Sequence, residues 1–367
     1  MARNGPLAIC YGTRPQVIKA SMLIEASAKH WPLVTVDTGQ HYDYALNEVF
    51  YEQLGVRKPD HFLEVGSAAH AVQTAHVLTR AAEVFEAATP RAVVVIGDTN
   101  STLGCALAAV QLRIPMVHVE AGLRSNDRAR AEEINRRVVD SVADLLCAPS
   151  AAASEQLALE HQWGTIANTG DIAHDVLKRN LARAIAPASV EGWPLKAGEK
   201  FAIATLHRAE LTGSAESLRA MVGALRALPL PVVLPAHPRV RDALTKLGLG
   251  SSDALHIISP LGYFEMIGAI RDAAIVITDS GGVQREAYWM GVRCVTIRTE
   301  TEWHETVALG ANTLVAPARA GEELVPAVKK RLASGGTWDT GAYGAGDAAV
   351  RITDAIGAMV RGLGARN

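Results

Sequence analysis

The chain has 367 residues, of which 49% are hydrophobic and 20% are charged, an ordinary balance for a globular protein. Its 36 Lys and Arg residues nearly cancel its 38 Asp and Glu residues, so no net field would hold nucleic acid or an anionic membrane. This balance favours a small-molecule partner, and the length predicts two domains.

The cysteines are far apart and form no CxxC pair, which predicts buried thiols in a reducing compartment. They are Cys10, Cys105, Cys147 and Cys294. The N-terminal MARNGPLAICYGTRP lacks the apolar core of a signal peptide, and the stretch LGCALAAVQLRIPMVHV is interrupted by an arginine and a proline. We therefore expect a cytoplasmic protein without a membrane span.

Short, continuous apolar runs recur along the first half and predict strands covered on both faces, as in a parallel sheet. These runs are PLAIC, LVTVDT, AVVVIGD, MVHVE and LLCAPS. Helix-length segments lie between them, among them QVIKASMLIEASAKH, TNSTLGCALAAVQL and EEINRRVVDSVAD. This alternation predicts βαβ units and a doubly wound α/β fold.

The first strand leads through Gly12 into a helix that begins near Pro15, in the segment CYGTRPQVIKAS. Arg14 and Lys19 lie at the helix start and one turn above it, which suits an anion such as pyrophosphate. No Walker loop and no GxGxxG are present, so a nicotinamide cofactor loses support and no cofactor is expected. The sequence contains no HExxH, HxH or CxxC spacing, so no metal site is predicted.

Two consecutive strands end on carboxylates, AVVVIGD on Asp98 and MVHVE on Glu120. Neighbouring strands lie about 4.8 Å apart, so both acids would share the edge of the sheet where ligands bind. Crowded carboxylates raise each other's pKa and suit proton abstraction near neutral pH. The alternatives are that Asp98 caps the next helix and that Glu120 is a solvated strand end.

Glu132 and Glu133 follow in the first turn of a predicted helix, where the helix dipole favours anions. They precede Arg136 and Arg137 by four residues, the favourable order for ion pairs on a helix surface. From local spacing alone, this ion-pair interpretation is the stronger one.

The alternation pauses at RNLARAIAPASVEGWPLKAGEKF, which predicts a linker over residues 183–199. A second series follows, with the runs FAIATL, PVVLPAH, LHIISP, AAIVITD and CVTIR and the helical segment SLRAMVGALRAL. We predict two α/β domains, residues 1–182 and 200–345, with a cleft between them. A C-terminal helix is expected over 346–367, and its packing on the first domain stays open.

The segment AAIVITDSGGVQREA predicts a strand followed by a helix N-terminus at Ser280, Gly281 and Gly282. Two glycines there allow a phosphate to approach exposed N–H donors, although a plain tight turn is the alternative. Glu286 on that helix is suited to accept hydrogen bonds from a ribose diol.

Two strand ends of the second half carry histidine–arginine pairs, His207 with Arg208 and His237 with Arg239. A lone histidine is more often structural than catalytic. Two such pairs that face the same predicted cleft favour anion contact.

The chain resembles the bacterial UDP-N-acetylglucosamine 2-epimerases over nearly its whole length. The shared segments, in order, are GTRPQVIKAS, DTGQHYD, VVVIGDTNST, VHVEAGLRS, EEINRR, TLHRAE, AHPRV, ISPLGY, TDSGGVQREA and TEWHETVALGANTLV. The resemblance implies an α/β fold of two Rossmann-like doubly wound domains, glycosyltransferase-B type, and a homodimer. It also implies that a base removes the C2 proton while UDP leaves C1, giving a 2-acetamidoglucal to which UDP re-adds.

By that resemblance, Glu132 joins the acids that transfer protons, against its local ion-pair interpretation. The implied catalytic residues are Asp98, Glu120, Glu132, Lys19 and His207. The resemblance implies Arg14, Ser280, Gly281 and Glu286 in the UDP-sugar site, and the strand-end and helix-start patterns above add Arg208, His237 and Gly282.

Four positions depart from the common family pattern, and none removes a proposed catalytic group. Gln16 stands where Glu is frequent, Ala131 replaces a proline, Leu211 replaces Asn, and Arg285 replaces the first Glu of GGxQEE. The segment TGQHYDYAL lacks the Met-containing continuation that accompanies an allosteric substrate site, so we do not expect activation by the substrate.

Three alternatives keep part of this interpretation. A hydrolysing epimerase would add water to the glycal and release free N-acetylmannosamine and UDP, an outcome that domain closure decides. A glycosyltransferase shares the fold but needs no three carboxyls around C2. A nucleotide-sugar sensor would not need Glu120 and Glu132.

Overall fold

The computed structural model of the chain describes residues 4–40, 56–125, 127–208, 211 and 213–365. Contacts divide the chain into two units, Met1–Lys178 with Gly341–Asn367 and Arg179–Thr340. TGQHYDYAL, the segment that bears on substrate activation, lies outside the described residues from His41 onward. Within the described ranges, no helix has the length and apolar character needed to cross a membrane.

Strands occur where the continuous apolar runs predict them, and they form one parallel sheet in each unit. They are β1 (Leu7–Tyr11), β2 (Leu33–Asp37), β3 (His61–Phe62), β4 (Ala92–Ile96), β5 (Met116–Val119), β6 (Leu145–Ala148), β7 (Thr165–Asn168), β8 (Ala202–Thr205), β9 (Val232–Pro235), β10 (Leu255–Ile258), β11 (Ile275–Thr278), β12 (Cys294–Ile297) and β13 (Asn312–Val315). The sheet orders are β3-β2-β1-β4-β5-β6-β7 and β10-β9-β8-β11-β12-β13. Both contain the 3-2-1-4-5-6 order of a Rossmann-like, doubly wound sheet.

The sequence analysis misses three strands, β3, β7 and β13. Each of them lies at an edge of its sheet. Strand β3 has only two residues, and β7 has the sequence TIAN with both ends exposed. An edge strand lacks a neighbour on one side, so it does not need the continuous apolar run that marks β1 and β4, which are wholly buried.

The helices connect the strands and cover the two sheets. They are α1 (Arg14–Ser27), α2 (His70–Ala88), α3 (Asn100–Gln111), α4 (Ala131–Val142), α5 (Ala151–Leu159), α6 (Ile172–Asn180), α7 (Ala215–Arg226), α8 (Pro238–Lys246), α9 (Tyr263–Asp272), α10 (Gly281–Trp289), α11 (His304–Ala308), α12 (Ala320–Ala333) and α13 (Ala348–Ala365). The predicted helices correspond to α1, α3, α4, α7, α10 and α13. The four cysteines are buried and unpaired, as the sequence predicts.

The segment predicted as a linker, residues 183–199, belongs to the second unit and packs within it. The Ile185 N–H donates to the Phe264 carbonyl at 3.0 Å, and the Arg183 guanidinium lies 4.0 Å from the centre of the Phe264 ring. Trp193 packs edge-on against Phe201. Aromatic and backbone contacts therefore fix this segment although it lacks an apolar period.

The C-terminal helix α13 packs on the first unit, in contact with α1. Ile352 and Ile356 are fully buried in the apolar cluster that contains β1 and β4. The Ser27 hydroxyl of α1 lies 3.2 Å from the Thr353 hydroxyl of α13. The last segment of the chain thus completes the core of the unit in which the chain begins.

Replacing Asp175 by Ala is expected to destabilise this packing. Its buried carboxylate on α6 accepts the N–H groups of Ala348 at 2.9 Å and Ala349 at 2.8 Å, the first residues of α13. Two buried donors without an acceptor should lower the free energy of unfolding by about 3 kcal/mol. Urea denaturation measures this, with Asp354→Ala, an exposed acid on α13, as the control. An unchanged midpoint for Asp175→Ala would contradict the expectation.

Candidate active site

Gln16 joins the loop after β1 to the end of β4. Its Oε1 accepts the N–H groups of Gly12 at 2.9 Å and Thr13 at 3.1 Å. Its Nε2 donates to the Ile96 carbonyl at 2.6 Å and to the Thr99 hydroxyl at 3.0 Å. An amide both donates and accepts, whereas a carboxylate only accepts. The contacts therefore account for a glutamine at this position, where the common pattern has Glu.

Glu120 is a buried acid at the end of β5, with 6% of its surface exposed, and is not a solvated strand end. The Lys19 ammonium lies 2.7 Å from its Oε1 and 2.8 Å from its Oε2. The Glu120 backbone has φ 70°, a left-handed conformation that residues other than glycine rarely adopt. A Cβ on Gly97 would lie 3.3 Å from Glu120 Oε2, so a glycine there leaves room for the carboxylate.

Asp98 lies at the end of β4, next to β5, as the sequence predicts. Arg136 of α4 contacts its Oδ2 through Nε at 3.0 Å and Nη2 at 2.5 Å, and Asn135 donates to its carbonyl at 2.9 Å. The residue that caps α3 is Thr99, whose hydroxyl accepts from the Thr102 N–H. The Asp98 side chain is thus held by Arg136 and is not engaged in capping.

The neighbouring acids of α4 have different environments. Glu133 is fully buried, and its Oε2 accepts the Ser125 N–H at 2.8 Å. Its carboxylate also pairs with Arg136 at 3.3 Å and with Arg137 at 2.9 Å. Glu132 is exposed. The predicted helix-surface pairing therefore falls on Glu133, and Glu132 presents its carboxylate to solvent.

Arg14 is the first residue of α1 and is exposed. Arg14, Lys19, Asp98, Glu120 and Glu132 all belong to the first unit. They occupy the strand ends and helix starts at the carboxyl edge of its sheet, where a parallel sheet binds ligands.

In the second unit, Asp279 holds the loop after β8. Its buried Oδ2 accepts the N–H groups of His207 at 2.9 Å and Arg208 at 2.8 Å, and His207 Nδ1 lies 2.6 Å from Oδ1. Burial opposes ionisation, but the hydrogen bond and charge of His207 and the two backbone donors outweigh it and lower the pKa of Asp279. His207 remains 54% exposed, with Nδ1 turned toward Asp279.

Ser280 caps α10, because its hydroxyl accepts the Val283 N–H, and Gly281 and Gly282 form the first turn. A Cβ on Gly281 would lie 3.1 Å from Glu302 Oε1, a tighter contact than most Cβ atoms make. This turn therefore favours a glycine at 281. It also presents backbone N–H donors at a helix N-terminus, the arrangement that suits a phosphate.

Arg285, which replaces a common Glu, braces the same turn. Its Nε donates to the Gly281 carbonyl at 3.3 Å, and its guanidinium lies 3.8 Å from the centre of the Trp303 ring. A buried cation stacked on an indole gains cation–π attraction. The Arg285 side chain thus supports the turn at Gly281 through a hydrogen bond.

Glu286 lies on α10 one turn beyond Gly282. Burial raises its pKa to about 7, although the Arg285 charge acts in the opposite direction. Burial and the nearby Glu286 raise the pKa of the Tyr263 phenol, which therefore stays a neutral hydrogen-bond donor.

His237 is exposed and is the N-cap residue of α8. Its side chain accepts a hydrogen bond from the Arg239 N–H.

A family model described as UDP-N-acetylglucosamine 2-epimerase matches residues 25–357. The chain belongs to the UDP-N-acetylglucosamine 2-epimerase family. The resemblance seen in its sequence is thereby confirmed.

Individual relatives of this family match nearly end to end. A Pseudomonas aeruginosa protein named UDP-2,3-diacetamido-2,3-dideoxy-D-glucuronate 2-epimerase is 41% identical over 94% of this chain and 97% of its own length. The UDP-N-acetylglucosamine 2-epimerase of Methanocaldococcus jannaschii is 36% identical over 94% and 97%. A crystal structure of the M. jannaschii enzyme with UDP-GlcNAc and UDP has a TM-score of 0.84 at 35% identity, covering 96% of this chain and 99% of that one. The predicted α/β class, two Rossmann-like doubly wound domains of glycosyltransferase-B type, is confirmed.

The predicted site residues of this 2-epimerase family member fall into two sets, one in each unit. Sequence reasoning does not identify the residues whose side chains hold these sets in place, which are Gln16, Arg136 and Asp279. Gln16 stands out in the sequence only as a departure from the family pattern. The sequence does indicate a structural role for Asp279, because it directly follows a wholly buried strand. Burying a charged side chain costs free energy unless that side chain is hydrogen-bonded.

Proposed function

We propose that this chain epimerises UDP-N-acetylglucosamine at C2, reversibly, to UDP-N-acetylmannosamine. In this reaction the C2 proton passes to a carboxylate, the C1–O bond breaks, and UDP leaves a 2-acetamidoglucal. UDP then adds back at C1 while an acid delivers a proton to the opposite face of C2. The family match over residues 25–357, in a chain with acids at adjoining strand ends, carries this proposal.

Asp98, Glu120 and Glu132 are the proposed proton-transfer residues. The C2 hydrogen is barely acidic, so acids in different environments are useful, one for each face of the ring. Glu120 is buried against Lys19, Asp98 is held by Arg136, and Glu132 is exposed. The three carboxyl groups therefore lie in different environments, which suits a reaction in which one group removes a proton and another returns it.

The second unit is the proposed binding site for UDP. The N–H groups at Gly281 and Gly282 and the Ser280 hydroxyl suit a phosphate, and Glu286 suits the ribose diol. The side chains of His207, Arg208 and His237, together with Arg14 of the first unit, are the proposed further contacts to the anionic substrate, with His207 and Lys19 acting close to the reaction.

Solvent deuterium exchange tests the proposal. The purified chain with UDP-N-acetylglucosamine in D2O should incorporate deuterium at C2, observed by NMR. A UDP-linked N-acetylmannosamine product indicates the non-hydrolysing reaction, and free N-acetylmannosamine indicates the hydrolysing alternative. A protein that binds the substrate but gives no exchange would refute both.

A modified sugar is the second candidate substrate. It is favoured by the P. aeruginosa relative, which is 41% identical and is named for UDP-2,3-diacetamido-2,3-dideoxy-D-glucuronate. That sugar carries an acetamido group at C3 and a carboxylate at C6. Comparing kcat/KM for exchange on the two nucleotide sugars decides between them. A ratio of about 100 would correspond to about 2.7 kcal/mol of difference in transition-state stabilisation.

The affinity for uridine is expected to fall as the pH falls through 7. Uridine has no group that titrates between pH 6 and 8, whereas the pKa of Glu286 is about 7. If the ionised carboxylate accepts the ribose diol, its loss of charge should weaken binding about tenfold between pH 8 and 6. Calorimetry at three pH values measures this. Glu286→Gln should bind weakly at every pH, and a wild-type affinity independent of pH would exclude this role.

A homodimer and a cytoplasmic location are further proposals. The homodimer rests on the family resemblance, and the location rests on the four buried, free cysteines, which are typical of a reducing compartment. Light scattering coupled to size-exclusion chromatography distinguishes a dimer from a monomer of 38.9 kDa.

A further inference from the structure

His118 is a fully buried residue of β5, two positions before Glu120, and the roles proposed above do not use it. Its Nε2 lies 2.8 Å from the Gly97 carbonyl, directly before Asp98. Its Nδ1 lies 2.6 Å from Oδ1 of Asp140, a fully buried residue of α4.

Both ring nitrogens of His118 face acceptors. A carbonyl oxygen only accepts, so Nε2 carries a proton. The other oxygen of Asp140 receives the Gly122 N–H at 3.1 Å and lies 2.8 Å from Arg124 Nη1. The His118 ring therefore links the Gly97 carbonyl to the Asp140 side chain, and Arg124 lies on the far side of that side chain.

The two ends of the pair formed by His118 and Asp140 hold the two loops that carry the acids. At one end, Gly97 has φ 71° and lies against the Glu120 carboxylate. At the other end, Gly122 has φ 84°, and a Cβ there would lie 2.4 Å from the Ala153 carbonyl oxygen. Both glycines adopt a left-handed conformation, and a hydrogen bond to each turn helps to fix the direction in which the neighbouring acid leaves its strand.

We propose that His118 and Asp140 are positioning residues that set Asp98 and Glu120 for proton transfer at C2, an inference that rests on the proposed function. They do not contact the sugar. They act through Gly97 and Gly122, and a displacement of about 1 Å at a reacting group can cost about 100-fold in rate.

Two amide variants separate this role from a general loss of packing. Asn at 118 places an N–H near the position of Nδ1 and keeps the contact to Asp140, whereas Gln places one near Nε2 and keeps the contact to Gly97. His118→Asn should lower kcat for C2 exchange about 100-fold, with KM and the Kd for UDP changed less than about threefold. His118→Gln should retain about tenfold more activity than His118→Asn.

Melting temperatures and UDP titrations show which variants are folded. If the His118 variants do not fold, Asp140→Ala takes their place, because it removes the acceptor of the Gly122 N–H and the partner of His118 and should lower kcat in the same way. A wild-type kcat in folded His118→Asn or Asp140→Ala, or equal losses in His118→Asn and His118→Gln, would overturn the positioning role. Absence of exchange in the wild-type protein would instead refute the proposed function itself.

Discussion

Replacing Glu120 by Gln should reduce deuterium exchange at C2 by about 1,000-fold, the scale on which a positioned acid or base contributes. The amide keeps the size of the side chain but cannot accept the proton at neutral pH. Its oxygen still accepts a hydrogen bond from Lys19, so the partly buried ammonium at 2.7 Å keeps one partner. The Kd for UDP should stay within about twofold, because Glu120 is not among the proposed UDP contacts.

The matched control is Glu155→Gln, an exposed acid on α5 of the same unit. It should exchange at the wild-type rate and melt at the wild-type temperature. NMR of the C2 proton gives the exchange rate, and calorimetry gives the UDP affinity. Undiminished exchange in folded Glu120→Gln would remove this residue from the reaction and leave proton transfer to Asp98 and Glu132.

Replacing Asp279 by Ala should both destabilise the second unit and weaken UDP binding. The change leaves the partly buried N–H groups of His207 and Arg208 without their acceptor and removes the carboxylate beside the His207 ring. Loss of the acceptor costs about 1–3 kcal/mol for each buried donor. His207 is 54% exposed, so a total near the lower end, about 2 kcal/mol, is expected.

The pH dependence of stability gives an independent measurement at the same residue. The pKa of Asp279 is lowered in the folded chain, so its contribution is complete above the ordinary aspartate pKa of about 3.9 and is lost as the pH falls below that value. Asp279→Asn should lose this acid-sensitive contribution and so differ from the wild type more at pH 6 than at pH 3. Asp253→Ala, an exposed acid of the same unit, is the control. Equal differences at both pH values would show that the charge of Asp279 does not matter.

The sequence determines the architecture because parallel strands are buried on both faces and therefore appear as continuous apolar runs. Asp98 and Glu120 could be located for the same reason, since a polar residue that ends such a run must lie at the carboxyl edge of the sheet. The edge strands β3, β7 and β13 escape this reasoning, because a strand with one open side does not need the pattern.

Tertiary structure alone decides what each acid contacts. Local spacing gives Glu132 and Glu133 the same ion-pair interpretation, yet only Glu133 is buried among cations. The bonds from Gln16 to Ile96 and from His207 to Asp279 join residues 80 and 72 positions apart. Such contacts depend on the packing of strands from distant parts of the chain. The positions of the acids follow from one strand at a time, whereas their partners follow only from the assembled sheet.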